Sequence, residues 1–228
     1  MSGKLDKSTV ERRIADCASE SIALAIMSAL IARADMVALK AGISALVKRG
    51  VSPACMHEII IQSYLFCGFP RMLDALFCLA ELINPKLYLG SANGRPQETL
   101  AYTAAEAGDF ETRGRELIRR IYADKYPRLE YAVWEMSPVI FRLIVIEGYG
   151  KTLSRPGLEV VTRELAVVAA LTVDGQTRQL QAHLRGAFNV GASLDQLADT
   201  LDALTEIAGD ERVKKARSLL LDLKTASE

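Results

Sequence analysis

Residues 163–187 read RELAVVAALTVDGQTRQLQAHLRGA, and this stretch decides the fold. Apolar residues recur three and four positions apart on both sides of Asp174-Gly175, which is the pattern of an amphipathic helix. Glycine is the residue that most readily ends a helix and opens a turn. The stretch therefore predicts two helices joined by a short turn, a helical hairpin.

The same periodicity continues along the chain in both directions. Most segments between Gly or Pro breakers are long enough for helices, and the alternation of Val, Ile and Thr that marks strands is absent. The sequence therefore predicts an all-α protein. We expect helices near 8–33, 35–48, 53–66, 70–83, 97–107, 109–124, 127–147, 158–173, 176–189, 194–208 and 211–225.

Composition excludes several classes of protein. The chain has 228 residues, half of them hydrophobic, which is enough to bury a substantial core. Lys plus Arg equals Asp plus Glu, 28 each, so no net field attracts phosphate backbones or anionic lipid. We therefore expect neither nucleic acid nor a membrane as partner.

The N-terminal segment and the cysteines bear on location. Residues 1–20 mix both charge signs and lack the apolar core of a signal peptide, which predicts a cytoplasmic protein. The apolar run Ser21–Ala32 is shorter than the roughly 20 residues that span a bilayer. The four cysteines form no Cys-x-x-Cys pair and are expected to be free thiols rather than a disulfide framework.

A possible internal repeat appears at an offset of 141 residues. Ala23–Arg71 aligns without a gap on Glu164–Arg212, with ten identical residues in 49 positions. Gly50 and Ser52 then meet Gly191 and Ser193 at the same turn. The offset predicts a duplication, against the alternative of two unrelated amphipathic hairpins. The turn-rich stretch between Ile83 and Gln97 is interpreted as a linker that divides units 1–96 and 97–228.

The stretch 163–187 also resembles the carboxymuconolactone decarboxylase and alkylhydroperoxidase D family. The resemblance is carried by Arg163-Glu164-Leu165, by His183 on the following helix, and by Tyr149-Gly150 and Ser154–Leu158 ahead of them. It implies the all-α alkylhydroperoxidase D-like fold in residues 97–228, with Glu164 and His183 as catalytic residues. The first half keeps the Gly68-Phe69-Pro70 pattern but has Ala23 and Gly42 at the positions of Glu164 and His183. It would thus be a degenerate copy.

Helix geometry gives an independent reason to pair Glu164 with His183. With the turn at Asp174-Gly175, the two residues fall within roughly 3 Å of the same level on an antiparallel hairpin. A carboxylate bound to one imidazole nitrogen fixes the tautomer and leaves the other nitrogen for proton transfer. The alternative is a structural histidine and a glutamate that pairs with other charges.

One feature of the alkylhydroperoxidase branch is missing. That branch resembles this chain but carries a Cys-x-x-Cys pair between Glu and His, where Gln176 and Gln179 stand here. Because the thiolate does the peroxide chemistry, we do not expect thiol peroxidase activity at these positions. Among the four cysteines, Cys67 is the best candidate for a redox role. It is, however, expected near a helix C-terminus, where the helix dipole disfavours a thiolate.

Three functions from different classes follow. The first, implied by the resemblance, is a lyase or isomerase of a small carboxylated lactone or related acid, with His183 moving the proton and Glu164 orienting it. The second is an antioxidant, peroxiredoxin-type thiol enzyme, and the third is a non-catalytic oligomeric binding protein.

The substrate-binding residues and partners are also predicted. Arg155 and Arg185 would hold substrate carboxylates, the alternative being surface charge or structural ion pairs, and Gln176 and Gln179 would line the pocket. No cofactor and no metal ion are expected. The family resemblance further implies a homotrimer or another small closed oligomer.

Overall fold

The computed structural model describes residues 5–89 and 103–226, and every regular element in these ranges is helical. The all-α class is thus confirmed. The helices are α1 (Lys7–Asp16), α2 (Glu20–Arg33), α3 (Met36–Lys48), α4 (Pro53–Leu82), α5 (Lys86–Leu89), α6 (Ala104–Tyr122), α7 (Tyr126–Met136), α8 (Pro138–Leu143), α9 (Val160–Asp174), α10 (Thr177–Asn189), α11 (Leu194–Ala203), α12 (Thr205–Ala208) and α13 (Asp210–Thr225), with a 3₁₀ turn at Ala123–Lys125 and a π-helical segment at Ile144–Leu153.

Three predicted helices are divided in the structure. The one expected over 194–208 separates into α11 and α12 at Leu204, and the other two divide at capping serines. The helix expected over 8–33 stops at Asp16, and α2 begins afresh because the Ser19 side chain accepts a hydrogen bond from the Ile22 amide. The helix expected over 127–147 breaks at Ser137, which caps α8 in the same way ahead of Pro138. Local capping thus overrides an apolar period that runs through both breaks.

The region around Gly108 differs in the opposite sense. The break predicted at this residue is wrong, because α6 is continuous from Ala104 to Tyr122. Thr103 and Glu106 form a reciprocal capping box that starts the helix ahead of the glycine. Most of the predicted linker, the start of the helix expected at 97, and the predicted boundary between residues 96 and 97 lie outside the described residues.

One hydrophobic core joins the two parts of the chain. Helix α2 packs against α9, and both are buried along most of their length. Buried residues from Val10 to Ile83 and from Leu165 to Leu223 belong to this same core. The two predicted units therefore share their interior rather than folding around separate cores. Among the residues that the structure describes, none of the helices combines the length and the hydropathy of a membrane span.

Helix bounds in the first half recur 141 residues later. Helix α3 matches α10 residue for residue, and the break in α4 at Gly68 matches the break before α13 at Gly209, both with positive φ. Arg71 donates to the Ala32 carbonyl, and Arg212 donates to the equivalent Val173 carbonyl. The duplication of the sequence itself stays a prediction, with which these positions agree.

The contact between the halves has the form expected of a local two-fold axis. Ser21 Oγ lies 2.8 Å from Thr162 Oγ1, and these two residues are themselves 141 positions apart. If the two halves are related by duplication, a two-fold axis between them would bring equivalent positions into contact in this way.

Helix α6 and the π-helical segment form a second, smaller layer against α10. Their backbones approach so closely that a Cβ on Gly114 would lie 2.1 Å from the Val145 carbonyl oxygen, and one on Gly150 would lie 2.0 Å from that of Phe110. Asn189 of α10 donates to the Ile121 carbonyl and fixes the end of α6 on the hairpin. This layer brings two tyrosines to the α9–α10 hairpin.

Candidate active site

Glu164 and His183 face each other across the α9–α10 hairpin. Gly175 ends α9 in the left-handed region at φ 77°, which lets the chain turn back into α10. Glu164 Oε2 then lies 2.9 Å from His183 Nδ1. The hydrogen bond expected from the register of the two helices is present, while the catalytic role of the pair stays a prediction.

The pair is almost completely removed from solvent. The exposed fraction of the Glu164 side chain is 1% and that of His183 is 8%. Phe66 packs edge-on against the imidazole, with ring centroids 5.6 Å apart. In such a low-dielectric setting a charge-assisted hydrogen bond is stronger than it would be in water.

Gly186 makes the room that the carboxylate occupies. A Cβ at this position would lie 3.0 Å from Glu164 Oε2 and 2.7 Å from Ile121 Cγ2. The other carboxylate oxygen, Oε1, is buried and accepts no hydrogen bond from any residue in the described ranges. A buried acceptor without a partner costs about 1–3 kcal/mol, so this oxygen is a candidate to meet a polar group of a ligand.

Two tyrosines lie beside the pair. Tyr122 ends α6 and Tyr149 lies in the π-helical segment, and their rings pack edge to face with centroids 6.4 Å apart. Burial, reinforced by the nearby Glu164 carboxylate, raises the pKa of Tyr122 and raises that of Tyr149 well above the usual value. Both phenols therefore stay protonated near neutral pH and can donate hydrogen bonds.

The predicted substrate-binding residues are distributed unevenly. Arg185 follows His183 on α10 and lines a cleft of about 360 Å³ together with Tyr122. Gln176 and Gln179 are exposed at the start of α10, and the Gln176 amide donates to the Asp174 carboxylate. Gln179 lies one helical turn ahead of His183. Their role in binding stays a prediction.

The exposed Arg155 belongs to a charge network around the largely buried Glu58 that the sequence analysis did not identify. Its guanidinium donates to both Glu58 oxygens, at 2.9–3.2 Å. Arg163, with 1% of its side chain exposed, donates to the same carboxylate at 2.9 Å and to Gln62 at 3.2 Å. Although burial raises the pKa of the Glu58 carboxyl, the two arginines outweigh it and hold this pKa below the usual value.

Sequence reasoning missed Tyr122, Phe66 and Glu58. Tyr149-Gly150 was part of the motif on which the resemblance rests, but nothing in the sequence assigned the tyrosine a place beside Glu164. Tyr122 and Glu58 reach their partners across 42 and 105 residues of sequence, and no local spacing marks such contacts. In the described residues no group of His, Cys, Asp and Glu side chains could hold a metal ion.

Comparison with known proteins identifies the family. Residues 143–222, which include the π-helical segment, the α9–α10 hairpin and most of α13, match the model described as "Carboxymuconolactone decarboxylase family". The chain belongs to this family. The match contains Glu164, His183, Tyr149 and Arg185, whereas Tyr122 and Phe66, which pack beside the pair, lie outside the matched residues.

Three relatives show how far the similarity extends. "Peroxisomal protein 2" of Schizosaccharomyces pombe is 26% identical over 156 residues, which cover 67% of this chain and 68% of that protein. The "4-carboxymuconolactone decarboxylase" of Acinetobacter baylyi is 39% identical over 54 residues, only 24% of this chain and 40% of the enzyme. An uncharacterised 15.0 kDa protein of Paracoccus denitrificans is 31% identical over 96 residues, which cover 40% of this chain and 72% of the relative.

Proposed function

We propose that this member of the carboxymuconolactone decarboxylase family is a lyase or isomerase that acts on a carboxylated lactone or a related acid. The observation that carries the proposal is the buried 2.9 Å contact between Glu164 Oε2 and His183 Nδ1. In the tautomer with its proton on Nδ1, His183 donates to the carboxylate. The other ring nitrogen, Nε2, is then the atom that exchanges a proton with substrate.

In a decarboxylation, the carbon–carbon bond to the departing carboxylate breaks and its electron pair stays on the substrate carbon. The proton carried by His183 Nε2 passes to that carbon, and the imidazole regains a proton from solvent. Glu164 stabilises the imidazolium form while the ring carries two protons. Arg185 holds a carboxylate of the substrate with its guanidinium fork. An isomerisation would use the same nitrogen to remove and return one proton.

The alignment with the Acinetobacter baylyi decarboxylase supports this class of reaction, although it covers less than half of that enzyme. The direct test is release of carbon dioxide from a panel of carboxylated lactones by the purified chain. Turnover of at least one member is the expected result. If no member is consumed but one raises the melting temperature, the non-catalytic binding protein becomes the better hypothesis.

We also propose that the chain forms a homotrimer or another small closed oligomer. Helices α7 and α8 carry several large apolar side chains that, within the described part of the chain, are far more exposed than core residues. Their exposed fractions are 70% for Tyr131, 62% for Val139, 49% for Ile140 and 53% for Leu143. Several large apolar side chains exposed on neighbouring helices favour association. A monodisperse monomer in light scattering at micromolar concentration would contradict the proposal.

The cytoplasmic location also remains a prediction. One relative carries the name "Peroxisomal protein 2", so a second compartment has to be tested beside the cytoplasm. Fluorescence microscopy of the tagged full chain in its own cells would distinguish them.

A further inference from the structure

A cleft of about 360 Å³ lies between α7 and α10, and it is lined by Ala182, which precedes His183, although not by His183 or Glu164 themselves. Its basic residues are Lys125, Arg128, Arg178 and Arg185, and no acidic residue lines it. This is unusual in a chain with as many acidic as basic residues. The cleft therefore concentrates positive charge that the composition as a whole does not show.

The three arginines of the cleft lack the partners that arginines have elsewhere in the fold. Within residues 5–89 and 103–226, Arg128, Arg178 and Arg185 form no close ion pair and no hydrogen bond. Lys125 pairs with Asp124, and Lys125 and, more weakly, Arg185 lower the pKa of that exposed carboxyl. In contrast, paired carboxylates hold many other arginines, which include Arg12, Arg13, Arg113, Arg115, Arg155, Arg163 and Arg217. Arg178 and Arg185 are two helical turns apart and so lie on the same face of α10.

The opposite wall of the cleft is apolar. Leu129, Ala132, Val133 and Met136 occupy positions i, i+3, i+4 and i+7 of α7, and all four line the cavity. The exposed fraction of Met136 is 75%, so its side chain has no protein surface to cover it among the described residues. An unbranched thioether chain of this kind adapts to apolar ligands of varied shape.

The inner end of the cleft adjoins the candidate active site. Ile121 and Tyr122 line the cavity, and Ile121 Cγ2 is also the atom that a Cβ on Gly186 would meet beside Glu164. The carboxylate of Glu164 lies close enough to Tyr122 to affect its pKa. A ligand that fills the cleft would therefore end against the residues that surround the dyad.

We propose that this cleft binds an anion with an acyl or alkyl body, whose charged head group is held by Arg178, Arg185 and Arg128 while its chain lies on α7. As a statement about the substrate of His183, this rests on the proposed function, and it extends that substrate from a small polar acid to one with an apolar body. As a statement about binding, it stands on the cleft alone.

The first experiment is isothermal titration of the full chain with octyl phosphate, inorganic phosphate and octanol. Octyl phosphate is expected to bind at least about tenfold more tightly than either of the others, because only it engages both walls. Equal binding of octanol, or no binding of octyl phosphate at millimolar concentration, would overturn the proposal. Octanoate, titrated in parallel, distinguishes a carboxylate from a phosphate as the preferred head group.

The second experiment reverses charge inside and outside the cleft. The double variant Arg178→Glu with Arg185→Glu should weaken octyl phosphate binding by at least about tenfold, and added salt should weaken the wild-type complex. Arg120→Glu is the matched control, because Arg120 is exposed on α6 and does not line the cleft. Unchanged affinity in the double variant, or an equal loss in the control, would contradict the assignment.

Binding and turnover are separated by these measurements. Titration needs no catalysis, so it reports binding alone. If octyl phosphate binds but no acid of the substrate panel is turned over, the proposed reaction is contradicted and the proposed binding site in the cleft is supported. Turnover of a small acid without octyl phosphate binding would do the reverse. Circular dichroism and melting temperature of each variant establish that a loss of binding does not come from unfolding.

Discussion

The hairpins α2–α3 and α9–α10 have nearly the same bounds at an offset of 141 residues, but they bury different chemistry. At the positions of Glu164 and His183 in the second hairpin, the first has Ala23 and Gly42. The second hairpin encloses a hydrogen-bonded acid and base. Around Gly42 the first encloses apolar side chains: a Cβ on Gly42 would lie 2.7 Å from Leu30 Cδ1 and 3.5 Å from Ile14 and Val10.

The glycine in each hairpin lies where its neighbours need space. In α3 it is Gly42, followed three residues later by Ala45, and in α10 the same two positions hold His183 and Gly186. Gly42 admits Leu30 and the side chains of α1, whereas Gly186 admits the Glu164 carboxylate and Ile121 of α6. The helix that packs over each hairpin therefore differs: α1 packs on the first hairpin, whereas α6, together with the π-helical segment, packs on the second and brings tyrosines to it. Hairpins with the same backbone bounds can thus enclose either an acid–base pair or tightly packed apolar side chains.

The largest expected effect concerns a second asymmetry between the halves. Glu58 of α4 pairs with the buried Arg163. At the offset of 141 residues, the position equivalent to Glu58 holds the exposed Asp199, and the position equivalent to Arg163 holds the buried Ile22. Glu58→Ala should lower the free energy of unfolding by about 3–5 kcal/mol, because it leaves the Arg163 guanidinium buried without its carboxylate. Asp199→Ala, measured in the same denaturant titration, should change it by less than about 0.5 kcal/mol. Similar losses in both variants would erase this asymmetry.

The same carboxylate predicts a pH dependence of stability. Its pKa is lower in the folded chain than the usual 4.5. The stabilisation from Glu58 is therefore fully present above pH values near 4.5 and is lost as the pH falls through the folded-state pKa. Denaturant titrations below pH 5 should show the difference in stability between wild type and Glu58→Ala shrinking as the pH is lowered. A constant difference would contradict the shift.

The third prediction attempts to rebuild the histidine in the first hairpin. Gly42→His should destabilise the fold by about 3 kcal/mol, since it overfills a packed site and buries imidazole nitrogens among Leu30, Ile14 and Val10. Gly108→His is the matched control, because a Cβ at Gly108 meets nothing within 4 Å. Calorimetric melting of both variants tests this. A Gly42→His variant as stable as wild type would mean that the first hairpin keeps room for a site.

How much of this contrast could be predicted depends on the range of the interactions. The hairpin register and the residue types at Glu164 and His183 were accessible from the sequence, because a helix has a fixed rise and the turn is marked by Asp174-Gly175. The divisions at Ser19 and Ser137 were missed because a single capping side chain decided each against a continuous apolar pattern. The apolar packing of Leu30, Ile14 and Val10 around Gly42 could not be predicted, because it depends on where α1 packs.

The fourth prediction tests the second hairpin itself. If an acid is turned over, His183→Ala should reduce kcat by at least about 100-fold, which corresponds to about 2.7 kcal/mol of transition-state stabilisation. Glu164→Gln should reduce it less, because the amide still fills the space beside Gly186. The other histidine of the chain, His57, provides the control: it is half-buried against Tyr88, and His57→Ala should leave kcat unchanged. Steady-state kinetics in which the two histidine variants lose activity equally would contradict the assignment.

The smallest effect is expected from the cysteines, which distinguish the acid–base hypothesis from the thiol enzyme. Burial raises the pKa of all four thiols, Cys17, Cys55, Cys67 and Cys78, so little thiolate is present near neutral pH. At Cys67 this outweighs the nearby Arg71, which lowers the pKa. A variant with Ser at Cys17, Cys55 and Cys67 and Ala at the buried Cys78 should therefore keep the kcat of the wild type, provided that its circular dichroism shows a folded chain. Peroxide consumption with a thiol reductant, measured on the same samples, should stay at the background rate. If activity disappeared with the cysteines and survived in His183→Ala, a thiol would carry out the reaction. The Glu164–His183 hydrogen bond would then have a structural role, like the apolar packing around Gly42 in the first hairpin.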